Sequence, residues 1–275
     1  MRFALAFIAA VALAQTPADY RRSIDQWRAQ RETDLKADNG WLTVAGLDWL
    51  KEGENRVGSN PGFEVPLPKP APERFGVITV KKGQAGLKAW LGSQELKADT
   101  SGQPTVITVG RINFQVIERE GKLAVRVKDN DSAARRNFTG LKWYPADASW
   151  RVRARFVKFA KPKTIVFDTA VGVKEPMQSP GYVAFERGGN SYRLEPVEED
   201  GELFFVMRDS TSGKTTYAAS RFLYAPLAKD GFVDLDFNKA ENPPCVFSDY
   251  ATCPLPPPQN RLTLAVTAGE MMYRH

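Results

Sequence analysis

The stretch "RINFQVIEREGKLAVRVKD", residues 111–129, decides how this chain is read. Ile112, Phe114 and Val116 alternate with Asn113 and Gln115. "EREGK" is a turn, and Leu123, Val125 and Val127 alternate back. Apolar residues at period two on both sides of a glycine-bearing turn predict a β-hairpin. The same pattern recurs outward from here. "SWRVRARFVKF" alternates, with Trp150, Val152, Ala154 and Phe156 on one face. "GYVAFERGGNSYRLEPV" reads as two strands around Gly188-Gly189-Asn190, and "GFVDLDF" as another strand. "GELFFVMRDSTSGKTTYAASRFLYAPL" turns at Ser210–Gly213, and "NRLTLAVTAGE" reads as the last strand. No βαβ alternation and no fixed-period repeat is present.

One helix stands against these strands. In "TPADYRRSIDQWRAQRETDLKAD", Thr16 is placed as N-cap, Pro17 at the first helical position and Asp19 as the capping acid. Tyr20, Ile24, Trp27, Arg31 and Leu35 fall on one face, and Asn39-Gly40 suits a left-handed end. The expected fold is mainly β: an antiparallel β-barrel or sandwich built of hairpins, with one N-terminal helix packed on it.

The chain opens "MRFALAFIAAVALAQT". Arg2, the apolar run Phe3–Leu13 and the small residues Ala12 and Ala14 read as a secretory signal ending at residue 14. The run is too short to span a bilayer, which takes roughly 20 residues. The expectation is a periplasmic or secreted protein with no transmembrane segment and a single β-rich domain at 15–275. The Pro-rich stretch Pro61–Pro72 is a possible subdivision.

At 43% apolar and 25% charged, the composition is that of a globular protein. The net charge of +6 is uneven: Arg119–Lys163 holds thirteen Lys/Arg against four Asp/Glu. That asymmetry suggests one basic surface, while export and the modest net charge argue against nucleic acid as its partner. Arg151, Arg153 and Arg155 share a strand face about 6.8 Å apart. They could hold an anion, or meet acids from "EPVEEDGE" across the sheet. In "KDNDSAARRNFTGLKWYP", Trp143 and Tyr144 could be stacking surfaces of an anion or carbohydrate pocket, or the run could be a tied-down connection.

The single histidine, His275, stands at the chain end. Histidine-based zinc sites and Ser-His-Asp or Cys-His catalysis are therefore disfavoured. "DSTSGKTT" resembles a phosphate loop only at its end: position 208 is Arg where the loop needs Gly. No metal site and no cofactor is expected.

The segment "ENPPCVFSDYATCPLPPPQN", residues 241–260, carries six prolines and both cysteines. Outside the cytoplasm, Cys245 and Cys253 are expected to pair as a disulfide, worth roughly 2–3 kcal/mol for so small a ring. The stiff segment would either plug one end of the barrel with Phe247 and Tyr250 or wall a binding cleft.

"LDFNKAENPPCVFSDYATCPLPPPQNRLTLAVTAGE" resembles the closing signature of the domain of unknown function 1684 family. The resemblance extends through "FFVMRDSTSGKTTYAASRFL", "RVKDNDSAARRNFTGLKWYP" and "GWLTVAGLDWLKEGENRVG". The family pattern has tyrosine where this chain has Glu241. The resemblance implies no activity, so it carries no catalytic residue.

Three functions are open on this reading. The first is binding of a small polar or anionic, carbohydrate-like ligand or an envelope component in a cleft beside the Pro/Cys segment. Its candidate lining residues are Asp209, Tyr217, Arg221, Asp236 and Asn238, which flank that region and mix donors, acceptors and charge. The second is a carboxylate-dependent hydrolase of a glycoside with Asp209 and Asp236 as acid and base, which requires the two carboxyls roughly 5–10 Å apart in one cleft. The third is a structural envelope protein without a ligand.

Overall fold

A computed structural model describes residues 16–89 and 92–273. The expected signal at 1–14 and His275 lie outside the described residues.

The chain runs α1 (Pro17–Lys36), β1 (Val44–Trp49), β2 (Gly53–Gly58), β3 (Val65–Pro66), β4 (Gly76–Lys81), β5 (Gln84–Ala89) and β6 (Gly92–Leu96). It continues with β7 (Val106–Val109), β8 (Ile112–Arg119), β9 (Lys122–Asp129) and the one-turn α2 (Ala133–Arg136). Then come β10 (Arg151–Asp168), β11 (Lys174–Arg187), β12 (Asn190–Leu194), β13 (Val197–Glu199), β14 (Glu202–Met207), β15 (Arg221–Pro226) and β16 (Phe232–Asp236).

These strands form four sheets, ordered β1-β9-β8-β7, β3-β2-β4-β5-β6, β12-β11-β10-β16 and β13-β14-β15. The fold is mainly β, in curled antiparallel sheets that make a half-barrel or sandwich with one long N-terminal helix. Among the described strands pairing is antiparallel except between β2 and β3. The opening hairpin is β8–β9, with Arg119 opposite Lys122. Its two turn residues, Glu120 and Gly121, both have positive φ (51° and 71°), the twist that a two-residue hairpin needs.

The first two sheets face each other across one core. Val57, Ile78 and Leu87 meet Ile112, Phe114, Val116, Val125 and Val127 there. Leu67 and Ala71, from the Pro-rich stretch, pack into this same core.

The three-stranded sheet is buried on both faces. Leu203, Phe205, Met207, Leu223 and Ala225 point into a second core with Trp150, Val183, Leu235 and Phe237. Phe204, Val206 and Phe222 point the other way, into a third core with Ile165, Phe167, Ala251 and Cys253. This accounts for the unbroken apolar runs "LFFVM" and "FLYA", since a strand covered on both sides loses the polar half of its alternation.

Helix α1 begins as expected: the Thr16 hydroxyl accepts from the Asp19 amide at 3.1 Å. Tyr20, Ile24 and Leu35 are buried, and Trp27 and Arg31 are half-buried on the same face.

Two expectations change. Residues 261–270 are not a strand: they form only isolated bridges, Arg208 with Arg261 and Trp143 with Glu270. Their apolar residues Leu262, Val266 and Ala268 seal the second core as irregular chain. The acids opposite the basic strand come from β16, not from 195–202. Arg151 pairs in register with Asp236 and Arg153 with Asp234. All three arginines of the row are exposed.

Candidate functional site

The third core is incomplete. Between the Phe204/Phe222 face of the β14–β15 sheet and the Pro/Cys segment lies a cavity of about 230 Å³. Phe204, Phe222 and Tyr224 form one wall, because alternate positions of adjacent antiparallel strands share a face. Pro244, Thr252, Cys253 and Pro254 form another, so the stiff segment does wall a cleft. Trp41, Met177, Arg31, Arg119, Arg126, Glu175, Glu199 and Glu241 complete it.

Arg126 is the charge that the fold leaves unanswered. It stands mid-strand in β9 and is only 7% exposed. Its guanidinium lies over the Trp41 ring, 5.1 Å from the centroid. Among the described residues its one side-chain hydrogen bond is a long one, 3.4 Å to the Thr252 hydroxyl, and its Nε finds no partner there. Burial, then the like charge of Arg119, pulls its pKa down to about 10. Asp99 acts on it favourably, but that carboxylate is committed to Arg119 at 2.8 Å. A buried guanidinium with unused donors is costly unless something pairs with it.

The acids sit elsewhere in the lining. Glu241 pairs with Arg31 at 3.2 Å, but Arg31 also pairs with the fully buried Glu270 at 3.1 Å. One cation shared by two buried carboxylates leaves excess negative charge. Burial accordingly pushes Glu241 up to about 7 against the pull of Arg31, and burial also raises Glu270. Glu199 is raised by burial and then by the like charges of Asp200 and Glu175. Tyr224, which lines the same cavity, is pushed up by burial and by the charges of Glu199 and Glu241.

The expected ligand contacts, Asp209, Tyr217, Arg221, Asp236 and Asn238, lie outside this lining. Asp209 and Arg221 form a buried ion pair at 2.6 Å. Asp209 also accepts from the Thr211 hydroxyl and amide, and Arg221 donates to the carbonyls of Val266 and Ala268. That knot ties the 208–220 connection and the 266–268 tail to the sheet. Asp236 accepts from the Tyr20 hydroxyl at 2.8 Å, and Asn238 donates to Tyr20 and to the Asp147 carbonyl. These two pin α1 to the sheet. The hydroxyl of Tyr217 lies 3.8 Å from Cys245 Sγ, and burial pushes its pKa up to about 12. Asp209 and Asp236 belong to separate networks, and neither lines the cavity.

The expected disulfide is corrected: both cysteines are free thiols. The Cys245 amide donates to Cys253 Sγ at 3.2 Å, so the turn is closed by a hydrogen bond instead of a covalent bond. The proximity of the other thiol holds Cys245 below the ordinary thiol range, and the same proximity with burial holds Cys253 above it. Phe247 is buried against Tyr273, whereas Tyr250 is exposed, so only one of the two aromatics plugs the fold. Trp143 and Tyr144 do not line the cavity. Trp143 packs edge-on to Trp27 under Arg28, and the Tyr144 hydroxyl bonds to Thr215.

Among the described residues no group of three or more His, Cys, Asp or Glu could hold a metal. None of their helices is long and apolar enough to cross a membrane.

Residues 136–271 match the family described as Protein of unknown function (DUF1684). The chain belongs to this family. The matched span takes in both the Asp209–Arg221 knot and the cavity's Pro/Cys wall, while Arg126 and Trp41 precede it. An uncharacterized protein of Haloarcula marismortui, solved by NMR in solution, is 32% identical over 50% of this chain and 78% of that one, with a TM-score of 0.43. Among proteins of curated function, none matches.

Sequence reasoning missed Arg126, Trp41, Glu175, Glu199 and Tyr224. The available signal was Arg126 itself, an arginine between Val125 and Val127 in an alternating strand.

Proposed function

We propose that this chain is an exported binding protein that holds a small anion with a ring-like apolar body in the cavity beside residues 244–254. A single sugar acid or an aromatic acid has the right chemistry. The observation that carries the reading is Arg126: a buried cation with idle donors, lining a cavity that an oxyanion could enter. Arginine makes forked hydrogen bonds to carboxylate or phosphate. The rings of Trp41, Phe204, Phe222 and Tyr224 suit the faces of a sugar or arene. The cavity lies below the ~300–1,000 Å³ of drug-sized sites, which favours one ring over a polymer. The leader pattern at 1–14 supports export.

The test is thermal denaturation and titration calorimetry with paired probes: glucuronate against glucose, and 4-methylbenzoate against toluene. An acid should raise the melting temperature where its neutral counterpart does not, and Arg126→Met should abolish the rise. Equal effects of acid and neutral probe, or an unchanged response in Arg126→Met, would reject the site.

Carboxylate-dependent hydrolysis is a second reading, now resting on Glu199 and Glu241. Both line the cavity, and Glu241 is held near 7, where a carboxyl can serve as acid or base. Release of nitrophenol from aryl glycosides, lost in Glu241→Gln, would favour it over binding alone.

A further inference from the structure

We infer that the ligand is amphoteric, carrying a protonated amine as well as its acid group; this rests on the binding reading above. The cavity is bipolar. Arg126 supplies one pole, buried and without a carboxylate partner among the described residues. Glu175 and Glu199 supply the other: both are half-buried in the cavity's lining, and the like charge of Glu175 adds to burial in raising Glu199. Neither forms an ion pair with a described Lys or Arg. The cation that acts on Glu199, Arg119, is already joined to Asp99 at 2.8 Å and to the Glu118 carbonyl.

The two poles therefore do not neutralise each other or their surroundings. Unpaired charges of both signs in a half-dry cavity are expensive in the empty protein. An anion alone would answer Arg126 and add its charge to Glu175, Glu199 and Glu241. An ammonium alone would answer the glutamates and repel Arg126 and Arg31. A molecule bearing both satisfies both poles. The Tyr224 hydroxyl, in the same lining as Glu199 and Glu241, is a further acceptor for the amine. Amino acids with a ring, and amino sugar acids, are the class that fits.

The experiment titrates the protein by calorimetry with three matched probes: 4-(aminomethyl)benzoate, 4-methylbenzoate and 4-methylbenzylamine. The amino acid should bind at least tenfold more tightly than either of the others. Glu199→Gln, with Glu175→Gln as the parallel variant, should remove that advantage and leave 4-methylbenzoate binding in place. Arg126→Met should remove binding of both acids. Equal binding of 4-(aminomethyl)benzoate and 4-methylbenzoate to the unaltered protein would overturn the amphoteric class and leave anion binding standing. So would an advantage that survives both glutamine variants. Failure of both acids to bind would overturn this inference and the binding reading together.

Discussion

Asp209 and Arg221 meet at 2.6 Å inside the fold, with Arg221 only 1% exposed, while Arg126, almost as deeply buried, has no carboxylate partner among the described residues. The two arginines have opposite roles. One is spent on the fold, and the other is left over for something the fold does not contain.

Breaking the spent pair is expected to be severe. Arg221→Met strands the Asp209 carboxylate and releases the carbonyls of Val266 and Ala268. A loss of about 3–5 kcal/mol in urea unfolding is expected. The double variant Asp209→Leu/Arg221→Met should recover part of that loss, because it leaves no orphaned charge. A double variant worse than the sum of the singles would contradict this account.

The left-over arginine should behave in reverse. Arg126→Met removes an unpaired buried charge and keeps much of the side-chain volume, so stability without ligand should hold or rise, by about 1 kcal/mol. A loss of several kcal/mol in the same urea experiment would mean that Arg126 holds the fold together.

The acid cluster sets a pH dependence. Glu241 has its folded-state pKa raised to about 7 from the ordinary 4.5, and Asp48 is raised to about 6 by burial. A carboxyl raised on folding binds its proton more tightly in the folded chain. Its contribution is therefore largest below the unfolded pKa and is lost as pH climbs through the folded one. Stability should fall between pH ~4.5 and ~7, with Glu241 responsible for up to about 3 kcal/mol. Glu64 and Asp147 are lowered by hydrogen bonds and carry the opposite sign at lower pH. Urea midpoints measured at several pH values should show a slope that Glu241→Gln flattens.

The thiols can be counted. Unfolded in guanidinium without reductant, the protein should take up two equivalents of a thiol reagent per chain, since neither cysteine is bonded. In the folded protein, a cavity ligand should slow alkylation of Cys253, which lines the cavity. Uptake of no reagent after unfolding would show a bond that this structure does not contain.

Export has its own measurement. Expressed with its leader in a bacterial host, the protein should be recovered from the periplasm with residue 15 at its N-terminus. An intact Met1 on cytoplasmic protein would end that proposal.

The elements of this fold were legible wherever one face of a segment packs on a core. The 111–129 hairpin alternates because Ile112, Phe114, Val116, Val125 and Val127 all face the first core, although its other face, with Asn113, Ala124 and Arg126, is buried too; α1 shows its four-residue step because only one of its faces is covered. The 261–270 segment was misread because its apolar spacing arises from sealing a core as irregular chain, which period alone cannot distinguish from a strand. The Pro/Cys segment declared its stiffness, and thereby the neighbourhood of the cavity, but not which residues would share it.

The chain by itself determined strand periodicity, turn chemistry, the helix cap and the family, because each depends on residues close in sequence. Only tertiary packing decided which polar residues are spent and which are left over. Asp209, twelve residues before Arg221, is consumed by it, whereas Arg126 is buried by Trp41 and Thr252, which lie far from it in the chain. Charge pairing depends on separations of a few ångströms, and contacts between distant segments are set by the sheets that bring them together.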